Sequence, residues 1–304
     1  MNPAHANLLG QLGDAQRRAL ISLLADDDSS VYQAVRQKLL SHGPEVAEWV
    51  KPETLSDNPV LRRRALEIQD YFGKQLADEQ FLRFCQSQSE EFDIEQGALL
   101  LARTQFPRIN PLGYTALMDD FASELRERLD LNGPAEYILH VVNDYLFDEL
   151  KFTGNEKDYY DPENSYLNRV LDRRTGNPIS ICLIYLLITK RLRLPMAGIG
   201  LPGHFLCRYQ NSRYEIYVDA FNKGKSLTRA DCIKYLMKIR HRLDETYLAP
   251  VTPRRILLRM CANLHQIYTQ TKAAAETERL QKYLVALANK SIQPATLPPV
   301  KAQA

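Results

Sequence analysis

The sequence is short of the features that mark several whole classes of protein. It contains no CxxC pair, and its five cysteines, Cys85, Cys182, Cys207, Cys232 and Cys261, are odd in number and scattered. A disulfide framework and a thiolate zinc site are both left without support, and a reducing cytoplasm is the expected setting. No uninterrupted apolar run approaches the ~20 residues of a membrane span. The run around Ile179 to Ile188 is followed by Lys190 and Arg191. Charge bias is missing too. A formal net charge of +2 argues against a dedicated nucleic-acid binder, whose basic surface would show in the total. The longest basic run, Arg62-Arg63-Arg64, reads as a solvated helix face. The opening MNPAHANLLGQLGDAQRR lacks a basic start followed by an apolar core, so no secretory signal is expected.

What remains is ordinary globular material. Hydrophobic residues make up 45% and charged residues 25% of 304 positions, enough for two or three modest domains. Residues 1–87 read as helices only. Asp14 is a candidate cap, the Asp26-Asp27-Asp28-Ser29-Ser30 cluster stops one helix and caps the next, and Asn58-Pro59 opens a long one. The units DDDSSVYQAVRQKLL and SDNPVLRRRALEIQDYF look alike, with Val31 and Val60 roughly 30 residues apart, near a solenoid repeat length. A HEAT-like repeat and a plain helical bundle both fit.

The polar stretch SQSEEFD (87–93) leads into a second region. Helices are expected over Ile94 to Thr104, from Pro111 past Leu125, and from Asn132-Gly133-Pro134 to about Leu150. His140 on the last of these reads as a solvent-edge or core residue. Beyond a Gly/Asn/Asp/Tyr-rich loop at 152–164 the composition changes. Two helices lead to three strand-like runs, Met196 to Leu201, His204 to Tyr209 and Tyr214 to Ala220, which suggest antiparallel pairing. Three further helices start near Arg229, Pro253 and Ala275. The tail 291–304 has too little apolar content to fold alone. The expected division is therefore 1–87 helical, 88–250 a mixed core with a helical lead-in, 251–290 C-terminal helices and 291–304 disordered. The fold class is α+β and mostly helical.

The chemistry concentrates in residues 164 to 222. Asn177 is a good cap and Pro178 fits the first helical position. The helix that follows is apolar nearly all round and should be the buried central helix of its domain. Cys182 lies on it, about a turn inside, where the dipole that stabilises a thiolate is already fading. Ser180 is nearer the start and is an alternative nucleophile. His204 follows Pro202-Gly203. Asp219 ends an apolar strand fifteen positions later, a natural distance for a strand, a hairpin loop and a return. A cysteine, a histidine and an orienting carboxylate are the parts of nucleophilic acyl transfer. Other readings stand beside this one. Cys182 can be a small buried hydrophobe, and Asp219 can cap the Phe221-Asn222-Lys223-Gly224 turn. Asn164, Ser165 and Asn168 can cap a helix or line the same cleft. A zinc site from Cys182, His204 and Asp219 has no supporting motif spacing, so no metal or cofactor is expected.

The order of these residues resembles the transglutaminase-like superfamily, and within it the SirB-type family of bacterial proteins. The likeness lies in NSYLNRVLDRRTGNPIS, the GLPGHF turn and VDAFNKG. It extends upstream to ALLLARTQFP, YLFDEL and GNEKDYYDPENS, and downstream to YLAPVTPRRILLRMCANLHQIY, covering about residues 90 to 270. The resemblance implies a papain-like core, a central helix packed on a small antiparallel sheet, with His204 and Asp219 as base and orienting group. The nucleophile departs from the pattern. Superfamily enzymes carry Gly-x-Cys into this helix, whereas here Gly176-Asn177-Pro178 puts proline at that position and Cys182 four residues later on the same face. Ala220 replaces the usual following proline. The expected function is a regulatory or protein-binding module with a degenerate site and a protein or peptide partner. The alternative is a cysteine-dependent protease, amidase or transglutaminase using Cys182, His204 and Asp219.

Overall fold

The computed structural model describes residues 12–86, 90–238 and 245–288. The tail expected to be disordered, 291–304, lies outside them. Contacts divide the chain into two units, Met1–Gln80 with Arg103–Ile109, and Phe81–Ala102 with Asn110–Ala304. The protein is α+β and mostly helical. No helix among the described residues is long and apolar enough to cross a membrane.

The first unit is built from α1 (Asp14–Leu23), α2 (Ser29–Ser41), α3 (Val46–Val50) and α4 (Pro59–Cys85) as far as Gln80. Two expected caps form: Asp28 accepts the Ser30 N–H at 2.7 Å, and Asn58 accepts the Val60 N–H at 2.9 Å. The start of α1 differs. Gly13 is the capping residue, its N–H donating to the Gln16 side chain at 3.0 Å, and Asp14 is already helical. An acid there still suits the positive end of the dipole. Leu24, Leu39, Val46, Val50, Ala65 and Ile68 form the buried centre. Arg64 corrects the reading of the basic run as a solvated face. Arg62 and Arg63 are exposed, but the Arg64 guanidinium lies 4.1 Å from the Tyr32 ring centroid and donates to the carbonyls of Leu24 and Asp26. A planar cation can satisfy a ring face and two carbonyls together.

The second unit takes in α5 (Ile94–Gln105) as far as Ala102, then α6 (Pro111–Arg128) and α7 (Ala135–Asn143). A single helix to Leu150 was the expectation. Instead α7 passes into a π-helical turn, Asp144–Glu149, closed by the Leu150 N–H on the Tyr145 carbonyl at 2.9 Å. Side chains hold the start of this irregular turn: Tyr145 donates to Glu124 at 2.8 Å, and Asn143 donates to the Gly224 carbonyl at 2.9 Å. Strands β1 (Thr153–Gly154) and β2 (Thr175–Gly176) then pair in parallel on either side of α8 (Leu167–Arg173). Two residues carry no strand periodicity, so this pair leaves no trace in the sequence.

Helix α9 (Pro178–Arg191) follows, buried along most of its length. After it, β3 (Met196–Ile199), β4 (Leu206–Gln210), β5 (Glu215–Asp219) and β6 (Lys225–Leu227) form an antiparallel meander in sequence order. Alternation gives the sheet two buried faces. Cys207 turns toward α9, where its thiol donates to the Cys182 carbonyl at 3.6 Å. Leu206 and Tyr217 pack with Cys232 and Leu236 of α10 (Arg229–Lys238) on the other face. Gly198 allows the approach on the α9 side: a Cβ there would stand 2.9 Å from the Phe205 ring and 3.3 Å from Leu186. The second strand begins at Leu206, not His204. Gly203 is left-handed (φ +72°) and the His204 N–H turns back to the Leu201 carbonyl at 3.2 Å, so His204 sits in a turn. Helices α11 (Pro253–Gln270) and α12 (Ala274–Ala288) complete the unit. Buried Arg254 donates to the carbonyls of Ala286 and Leu287 at 2.9 Å each, a cation on the negative end of α12.

Among the described residues, five that are not glycine adopt left-handed backbone: Lys151, Arg174, Arg193, Lys223 and Lys272. Arg174 caps α8 this way, and its guanidinium lies 4.7 Å and 4.8 Å from the Phe121 and Phe152 ring centroids.

Gly176 is one of the tight points beside the start of α9. A Cβ would lie 2.9 Å from Val170 and closer still to the Ser180 hydroxyl, so Gly176→Ala should cost about 1–3 kcal/mol of overpacking. Urea denaturation checks this, and Gly176→Ala combined with Ser180→Ala should recover part of the loss.

Candidate functional site

A buried polar network fixes the entrance to α9. Asn177 caps the helix by accepting the Ser180 N–H at 3.0 Å, and its amide donates to Ser165 at 2.8 Å. The Ser180 hydroxyl donates to the Asn164 carbonyl at 2.6 Å. The Asn164 side chain accepts from Asn155 at 3.0 Å and donates to the Asp158 carbonyl at 2.8 Å. Asn164, Ser165 and Asn168 therefore neither cap their own helix nor reach the cleft wall. The first two tie the 155–165 loop to α9. Ser180 is fully buried and its proton is committed to a carbonyl.

The structure brings together His204 and Asp219. Nε2 of His204 lies 2.9 Å from Oδ2 of Asp219, with side chains only 16% and 7% exposed. Asp219 also serves the turn after it. It accepts from the Asn222 side chain at 2.7 Å and from the Asn222 N–H at 3.2 Å, so the partner and cap readings are both realised on one carboxylate. Burial pushes the Asp219 carboxyl up, but the His204 and Asn222 hydrogen bonds and the His204 charge outweigh it and hold the group below its ordinary value. Rings flank the imidazole on two sides, with Phe221 and Tyr235 centroids each 6.1 Å away. With Nε2 committed to Asp219, Nδ1 has no partner among the described residues and is the nitrogen left to accept a proton.

His204 forms part of the wall of two clefts. One, of about 360 Å³, is lined by Tyr159 and Tyr160 of the loop, Asn177 to Ile179 at the start of α9, Gly203 to Phe205, and a stripe on α11. The other, of about 440 Å³, runs past Asp219, Asn222 and Tyr235. Pro178 is on the wall of the first cleft. Cys182 lines neither: it is fully buried, and its thiol donates to the Phe205 carbonyl at 3.3 Å. The helix repeat explains this. Pro178 and Cys182 share a face, and the four-residue step puts Cys182 a turn farther along, beneath the sheet edge. All five cysteines are free and buried. Burial drives the Cys207 and Cys261 thiols well above their ordinary value. His140 is exposed and pairs with Asp144 at 3.3 Å. No cluster of three His, Cys, Asp or Glu side chains suited to a metal ion occurs among the described residues.

Three cleft residues carried no weight in the sequence reading: Arg259, Asn263 and Gln266. A signal existed. They recur at i, i+4 and i+7 on α11, a polar stripe beside the apolar one.

A central helix on an antiparallel meander, with a histidine–carboxylate pair at its edge, defines the class, and the sequence model of the transglutaminase-like superfamily matches residues 113–262. The UPF0162 protein of Xylella fastidiosa strain 9a5c is 35% identical over 206 residues, 64% of this chain and 72% of that protein. The chain belongs to the UPF0162 protein family. The Pseudomonas aeruginosa member is 26% identical over 182 residues, 57% of this chain and 64% of that protein. Human F-box only protein 21 is 40% identical over 135 residues, 42% of this chain and 21% of its own length. No solved structure matches the chain.

The depressed Asp219 carboxyl makes an acid-side prediction. A folded value below the ordinary 3.8 means that the unfolded chain binds the proton more readily. The stabilisation is complete above the ordinary value and lost as pH falls through the folded one. Urea titrations at successively lower pH should show wild type losing stability more steeply than Asp219→Asn. Parallel curves would remove the carboxylate from this role.

Proposed function

We propose that this chain is a SirB-type transglutaminase-like protein acting as a regulatory, protein-binding module. Its cleft beside His204 receives a peptide segment, and its papain-like core has lost the nucleophile. The observation that carries this reading is the wall of the first cleft, where Pro178 stands beside His204 and no thiol is presented. A proline has neither a nucleophilic atom nor an N–H, so that position can bind and orient but cannot attack. The cleft is lined by aromatic and amide side chains from three segments, Tyr159, Tyr160, Asn177, Asn263 and Gln266, which suit a polypeptide backbone with alternating polar groups. A relative named as an F-box protein, matched over a minor part of its length, supports a protein partner and a portable module. The helical N-terminal unit, HEAT-like by its two similar segments, would supply further surface. Five free cysteines support a reducing, cytoplasmic setting.

The intact His204–Asp219 pair favours a second reading. In it the chain is an acyl-transfer enzyme: Cys182 attacks an amide carbonyl, His204 takes the proton at Nδ1 and returns it to the leaving amine, and Asp219 orients the ring. That route needs α9 to shift by about a turn, roughly 5 Å, to bring Cys182 to the position Pro178 holds.

Iodoacetamide at neutral pH separates the two. Under the binding reading, Cys182 labels no faster than the buried Cys207 and Cys261, and His204→Ala changes nothing. Selective labelling of Cys182 that disappears in His204→Ala would sink the binding reading and establish the enzyme.

A further inference from the structure

The first cleft has an unbalanced charge. Arg259 reaches it from α11, half-buried, with its guanidinium carbon 5.7 Å from the Phe205 ring centroid and one nitrogen 3.5 Å from where a Cβ on Gly200 would stand. It has no carboxylate, carbonyl or hydroxyl partner among the described residues. By contrast, Arg191 pairs with Glu95 and Asp119, Arg173 with Asp161 and Glu163, and Arg254 donates to the end of α12. The cleft wall carries no Asp or Glu, since Asp219 lies behind His204 and is already bonded. Burial lowers the Arg259 pKa, and the nearby Tyr159 and Tyr235 hydroxyls offset this only in part.

The opposite wall supplies a second unmet donor. Helix α9 begins at Pro178, which has no N–H. The Ser180 and Ile181 N–H groups are satisfied by Asn177. The Ile179 N–H has no partner among the described residues, and Ile179 lines the same cleft at the positive end of a 14-residue helix. A guanidinium and an unpartnered helix-terminal amide on residues that line one cavity are the kind of donors an oxyanion needs. With a single cation and no lysine on the wall, the charge matches a monoanion rather than a phosphate dianion.

We propose that Arg259 and the Ile179 N–H form a carboxylate-binding subsite, so that the segment received by the His204 cleft is one bearing a carboxylate, as a chain terminus or an acidic side chain. This deepens the peptide-binding reading above and rests on it. The carboxylate neutralises Arg259, and the aromatic pair Tyr159 and Tyr160 covers the chain beside it.

Phenylglyoxal modification of the full chain tests this without requiring a variant to fold. Labelling at each arginine is followed by peptide mass mapping in the presence of four probes. These are acetyl-Gly-Ala-Ala with a free terminus, its amide, an amidated acetyl-Gly-Glu-Ala, and acetate. A free-acid peptide of either kind should slow labelling at Arg259 by about tenfold while the neutral amide leaves it unchanged, as expected for one charge-assisted contact. Equal protection by acid and amide would leave peptide binding standing and overturn the carboxylate subsite. Protection by acetate as strong as by the acids would keep the subsite and remove the peptide reading. No protection by any probe would overturn both. Which of the two acidic peptides protects decides between a chain terminus and a side chain, and either result supports the subsite.

Discussion

The site depends on how the first turn of α9 is held. A helix start leaves N–H groups without partners, and this one is buried, so each must be satisfied or face a cavity. Asn177 takes two of them, Pro178 has none to offer, and Ser165 and Asn164 hold Asn177 and Ser180 in return. That knot fixes the position of the helix start in this structure. Everything carried on it, Pro178 at the cleft and Cys182 below, inherits its position from a few asparagine and serine side chains. Such a network is strong when complete and costly when any member is removed.

The same rigidity separates the histidine pair from the thiol. His204 and Asp219 come from a turn and a strand end in the meander, and their geometry is set by strand register and by Asn222. Cys182 belongs to the helix. It is bonded to the backbone just after His204, through the Phe205 carbonyl, so helix and sheet are joined through the thiol itself. A group serving as a joint between layers is poorly placed to act as a nucleophile. The retained pair and the buried thiol are thus two results of one packing arrangement.

Much of this was legible in the sequence because it rests on local chemistry. Asn177-Pro178, Asn58-Pro59 and the acidic cluster ending at Asp28 announce helix starts through side chains that have no better use. Val218 and Tyr217 alternate as a strand buried on both faces must. The parts that were hidden are long-range. The β1–β2 pair is too short to have a period, and the π-turn after Asn143 depends on a bond to Gly224, 81 residues away. The depth of Cys182 could be argued only as a shared helix face, since the same face can be deep or shallow according to what the sheet covers. Arg259 carried no weight in the sequence because its place on the cleft wall is a property of the fold around it.

The left-handed positions have a consequence for the unfolded chain. The five non-glycine examples among the described residues are all lysine or arginine, and Lys151, Arg174, Arg193 and Lys272 follow the ends of helical segments. A side chain in that conformation carries a strain of roughly 1–2 kcal/mol. Glycine would relieve it, yet would also enlarge the ensemble that folding must restrict, by about 0.4–1 kcal/mol. The two effects offset each other in large part. What remains in favour of the native residue is a positive charge near the exposed carbonyls of a helix terminus, so the basic side chains stabilise the ends of the segments they follow while keeping the denatured state narrow.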